Sequence, residues 1–217
     1  MFDFLQPKCL IITDMVLFVG VFLMIVIGFA SNQWAVATFN CGCDDDCYVF
    51  IGPFQAKYSK FGKCDDSYKV ESIDCDDLDL NGDDCDSFET STEAANIALA
   101  LAVLLLVYKA AVTGCSFIYI PNRTKTLWIM MVIDMLGDVV LGMCALISAG
   151  QFDEAMDEFN VKKANGDKVN FDTGLGYGLF VGGGLLAWIC AAVTAVTLWR
   201  GLKPKETEAE ADSDNVK

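Results

Sequence analysis

Apolar positions along this chain fall in four continuous blocks, 10–36, 93–120, 126–149 and 174–200, with no helical or alternating spacing inside them. Each block has the ~20 residues that carry an α-helix across a bilayer. Leu10 to Ala30 is broken only by Thr13 and Asp14, and the block extends to Trp34, which suits the aromatic belt of a membrane surface. Ala35-Val36-Ala37 resembles a leader-cleavage site, but the preceding block is longer than the roughly 7–15 residues of a leader's apolar core. An uncleaved first span is expected.

The polar stretches divide the rest: 1–9, a loop at 37–92, a turn at 121–125, a second loop at 150–173, and a tail at 201–217. The tail, acidic and without aromatics, is expected to be disordered. Phe152, Phe159, Val161, Val169 and Phe171 give the second loop enough apolar content for a short helix or strand, not a domain. Arg123 and Lys125 lie in the turn, Arg200, Lys203 and Lys205 follow the last block, and Lys8 precedes the first. Positive charge marks the cytoplasmic side, so both termini are expected there and both loops outside. The sequon Asn122-Arg123-Thr124 then lies inside the cell, where it should carry no glycan.

Composition sharpens this picture. The chain has 217 residues, 54% of them hydrophobic, and a formal charge of −15. Its acidity, with a pI near 4.2, does not suit nucleic-acid binding. Histidine is absent, which removes Ser-His and Cys-His catalysis and every His-ligated metal site. A non-enzymatic membrane protein without a resident cofactor is expected, its partners being lipid, a second copy or another membrane protein.

The 37–92 loop concentrates the anomalies. It has twelve Asp, two Glu and four Lys, a local charge of −10, and six of the ten cysteines: Cys41, Cys43, Cys47, Cys64, Cys75 and Cys85. Disulfides persist in oxidising compartments, so an even set in one hydrophilic loop again places it outside; the thiophilic-metal reading of Cys41, Cys43 and Cys47 is the lesser one. Fifteen pairings are open. Ten residues separate Cys64 from Cys75, a spacing compatible with a stapled hairpin, and Tyr48 to Ile51 and Tyr68 to Val70 are β-formers. Asp77, Asp79, Asn81 and Asp83 reproduce the opening of a calcium loop around Gly82, although its twelfth position is Phe88 and Glu89 stands one place late. The alternative is a hydrated acidic turn.

Inside the spans, Gly174, Gly178 and Gly182 and likewise Ala94, Ala98 and Ala102 recur every four residues, the spacing of a flat helix-packing face. Lys109 lies about 18 Å before Pro121, and Asp134 and Asp138 lie about 14 and 20 Å after Lys125 at helical rise. These depths coincide in an antiparallel hairpin, so Lys109 is expected to pair with Asp134 or Asp138; a proton or cation path through the three is the alternative. Asp14 is expected to reach the interface rather than the core.

Trp34 soon after the first span, Gly52-Pro53-Phe54, and then Cys64 and Cys75 make the layout resemble the claudin, peripheral myelin protein and channel gamma-subunit superfamily. Phe88 to Ala95 and the glycine-rich start of the last span are similar too. That family has Gly-Leu-Trp where this chain has Gly-Pro-Phe. The resemblance implies a mainly α membrane protein: a left-handed four-transmembrane-helix bundle with a small disulfide-stapled extracellular antiparallel β-sheet. In it the first loop would supply most strands and the second loop one, with Cys64 bonded to Cys75. It further implies a plasma-membrane contact protein, claudin-like at cell junctions or side by side in one membrane, or else an auxiliary subunit of an ion channel or receptor.

Overall fold

In the computed structural model, residues 7–31, 33–40, 46–59, 68–72, 82–117, 124–158 and 171–201 are described. Four long helices carry the apolar blocks: α1 (Pro7–Ala30), α2 (Gly82–Phe117), α3 (Thr124–Glu158) and α4 (Leu175–Gly201). All four are long and apolar enough to cross a membrane, over Cys9–Ala30, Cys85–Ser116, Thr126–Met156 and Leu175–Trp199. They form a ring in which α1 packs on α2 and α4, and α3 on α2 and α4. Val16, Leu23, Leu104, Val107 and Leu136 point outward and are exposed. Apolar side chains in that position suit lipid, not water.

Strands β1 (Ala35–Asn40), β2 (Asp46–Ile51), β3 (Gln55–Ser59), β4 (Tyr68–Ser72) and β5 (Asp172–Thr173) complete the chain. They make one antiparallel sheet in the order β4-β3-β2-β1-β5. β5 comes from the segment between α3 and α4 and pairs with Ala35 and Val36 at the base of β1. The β-formers Tyr48 to Ile51 and Tyr68 to Val70 fall in β2 and β4. The first span is shorter than its apolar block, because Ala35 and Val36 leave the helix and enter β1.

Two helices outrun their apolar blocks in the other sense. At ~1.5 Å per residue, α2 and α3 are about 54 and 52 Å long, against about 36 Å for α1. Their extra turns lie at the end of the bundle that carries the sheet. Phe88, Phe152, Ala155 and Met156 from these turns join Trp34, Ala35 and Ile51 in the main core. Lower down, Ser91 and Ser148 are fully buried and satisfy each other's backbones: Ser91 Oγ donates to the Ser148 carbonyl at 2.7 Å, and Ser148 Oγ to the Ser91 carbonyl at 2.8 Å.

Ala98 and Ala102 are fully buried and Ala94 nearly so, as their spacing predicts. The glycine stripe of α4 is corrected at one position. A Cβ on Gly174 would land on the Gln33 carbonyl, and one on Gly182 would meet the end of Met24 at 2.6 Å, but Gly178 is exposed with nothing within 4 Å. The closest backbone approach of α1 and α4 instead brings Gly28 to Gly176 and Phe180, where a Cβ on Gly28 would sit 2.7 Å from the Phe180 nitrogen. Gly174→Ala should therefore prevent the native junction of β1 with α4, while Gly178→Ala should leave thermal stability within about 0.5 kcal/mol of the parent. Melting curves of the two purified variants in one detergent check this contrast.

Candidate functional site

Two constellations stand out, one at the sheet end of the bundle and one inside it, in the half away from the sheet. The first is the junction of sheet and helices, built on Trp34. It is fully buried, contrary to the lipid-surface position expected of it. Its backbone nitrogen donates to the Ile51 carbonyl at 2.9 Å, and its own carbonyl accepts from Gly174 nitrogen at 2.8 Å. Its indole Nε1 donates to the Gly28 carbonyl at 2.7 Å. One residue thus ties the end of α1, the end of β2 and the entry to α4. Phe152, Tyr177 and Phe180 pack on its ring, with centroids 5.1, 6.0 and 4.8 Å away. The edge-on or tilted angles are those that aromatic quadrupoles favour.

Gly52 lies in the same region and is buried. Phe54 sets its ring 4.8 Å from Phe29 near the end of α1, and the Pro53 carbonyl accepts from Thr92 Oγ1 of α2 at 3.3 Å. Trp34, Gly52, Pro53 and Phe54 therefore sit where the β2–β3 turn meets the helices. β4 and the upper part of β1, residues 37–40, face no further strand among the described residues.

The second constellation is the charge cluster inside the bundle, in the half where α2 finishes and α3 begins. Lys109 Nζ donates to Asp14 Oδ2 at 2.7 Å, to Asp134 Oδ2 at 2.7 Å and to Asp138 Oδ2 at 2.9 Å. The ammonium has three protons to donate, and all three are used. It also lies 5.0 Å from the centre of the Phe18 ring, whose π face favours a cation. Lys109 is 2% exposed, Asp134 3% and Asp138 0%. Lys109 thus meets both expected aspartates at once, since they lie four residues apart on one face of α3.

Asp14 is the correction here. It is buried at 7% exposure and completes the cluster from α1, instead of reaching the interface. α4 adds Thr194 and Cys190 beside Asp14. Being the one ionisable residue in the first apolar block was the signal that marked Asp14. The carboxylates of Asp14, Asp134 and Asp138 bring oxygens within 4.8 Å of one another, and Lys109 supplies the cation they surround. Burying such charges costs several kcal/mol per ion unless geometry and hydrogen bonds offset it.

The other candidate residues fall partly outside the described residues. Asp77, Asp79 and Asn81 lie outside the described residues, as do Cys41, Cys43, Cys64 and Cys75. Asp83 falls in the first turn of α2, Phe88 is in the core, and Glu89 is exposed on the helix. The second half of the calcium-loop stretch is thus helix rather than loop. Cys47 stands opposite Phe39 in the β1–β2 register, and Cys85 is disulfide-bonded. Cys9, Cys115, Cys144 and Cys190 are free thiols. No protein-family model and no curated protein matches the chain.

Proposed function

We propose that this is a claudin-like, non-enzymatic four-span protein of the plasma membrane, whose outer sheet makes contacts with a second copy of the chain. Both termini are then cytoplasmic, and the contacts form side by side or between neighbouring cells. The observation that carries this reading is the single sheet drawn from the α1–α2 and α3–α4 segments and clamped to the bundle at Trp34. A sheet fixed in that way presents its strand edges at a constant height and angle above the membrane. Strand edges recognise other chains through backbone groups. The −10 charge of residues 37–92 would make any path lined by such sheets favour cations.

The test is expression of the tagged full-length chain in non-adherent cells, followed by native purification. Enrichment at cell–cell contacts together with homomeric complexes is the expected result. A diffuse distribution with stoichiometric recovery of a channel or receptor would overturn it in favour of an auxiliary subunit.

A further inference from the structure

The Lys109 cluster holds one ammonium and three carboxyl groups, a formal charge of −2 when all are ionised. Taken as carboxylates, each spends one oxygen on Lys109 and leaves its Oδ1 without a hydrogen-bond donor among the described residues. All three Oδ1 atoms are buried, and the side chains of Asp134 and Asp138 are 4% and 0% exposed. Two charges and three orphaned acceptors are too costly to leave uncompensated within a membrane span. Lys109 already occupies the centre and would repel a metal ion of either valence. Protons meet no such obstacle. A proton on one carboxyl becomes the donor that a neighbour's Oδ1 lacks, and Asp14 and Asp134 lie within hydrogen-bonding reach of each other.

We propose that the cluster is a two-proton binding site, exchanging with the compartment at the turn end of the bundle through a water-sized cavity. That cavity, of about 10 Å³, is lined by Asp14, Lys109 and Asp134 and, one turn further out, by Thr113 and Thr197. It has room for one water, and its hydroxyls can pass a proton along. Toward the sheet the core becomes apolar, with Phe18, Val21, Leu105 and Leu141 beyond the cluster. Access is thus one-sided: protons enter and leave by the same face, as in a sensor and unlike a conduit.

The other titratable groups facing the site are Cys190 on α4 and Tyr108 on α2, whose hydroxyl donates to the Met130 carbonyl at 3.0 Å. Neither adds positive charge, so the balance of two protons stands.

The experiment is infrared spectroscopy of the full-length protein in lipid nanodiscs at neutral pH, reading the carbonyl stretch of protonated carboxyl groups. The parent should show a band that shifts in heavy water. Asp138→Asn should halve its area, and the double variant D134N/D138N should abolish it, because one aspartate then balances Lys109. Thr197→Phe should slow the heavy-water shift without changing the area. A parent spectrum lacking the band, or a band of equal area in all variants, would overturn the site. A band that vanishes on adding sodium chloride would overturn it in favour of a metal cation. An unchanged shift rate in Thr197→Phe would overturn the access route. The parent's own band tests the proposal even if a variant fails to fold.

Discussion

Lys109→Met should lower the stability of the purified protein by about 3–5 kcal/mol, the usual cost of stripping one partner from a buried ionic group. Methionine nearly matches the length of lysine, so little volume is lost. What is lost is the donor of three hydrogen bonds, at 2.7, 2.7 and 2.9 Å, to carboxyls from two different helices. The three acids then face each other with no counter-charge. Removing all charges together, in K109M/D14N/D134N/D138N, should recover most of the loss, since a neutral set has no ion to desolvate. Thermal melts of both variants in one detergent decide the matter. Equal melting of K109M and the parent would mean that the ammonium does not hold α1, α2 and α3 together.

Trp34→Ala should cost about 3–5 kcal/mol through the cavity left in the aromatic cluster. Trp34→Phe, which keeps a ring and leaves the Gly28 carbonyl only its bond from Ser31 nitrogen, should cost about 0.5–1.5 kcal/mol. The effect should be local as well as global. Amide hydrogen exchange should accelerate at Gly174 and Gly176, whose nitrogens donate to the Trp34 and Gln33 carbonyls, before it changes in the middle of α2 and α3. Unaltered protection at Gly174 and Gly176 in Trp34→Ala would show that the sheet is held by something else.

The four spans were legible because bilayer crossing demands long, unbroken apolar blocks, and nothing else in a chain of this size does. The Lys109 contacts with Asp134 and Asp138 were legible for a different reason. A short turn joins α2 to α3, so counting residues outward from it gives both depths on one scale. Asp14 escaped that counting. No turn connects α1 to α2 at that end, and its height is set by packing alone. β1 was hidden because Ala35, Val36 and Ala37 prolong the apolar run, and composition does not mark where a helix yields to a buried strand. The extra turns of α2 were hidden by their acids, which read as loop. Phe88 nevertheless buries one side of those turns in the core. Gly178 shows the limit of spacing: a four-residue stripe names a helix face without naming what lies opposite.

Trp34 also determines how the molecule bears mechanical load. Its nitrogen is bonded to the end of β2, its carbonyl to the start of α4, and its indole to the last turn of α1. A pull on the sheet along the bundle axis is shared between two membrane-anchored helices at once, and no single polar segment has to carry it. The aromatic rings around the indole must slide past one another before these bonds can open. Tension applied to the sheet would therefore reach α1 and the entry to α4 directly, through the Trp34 bonds to Gly28 and Gly174.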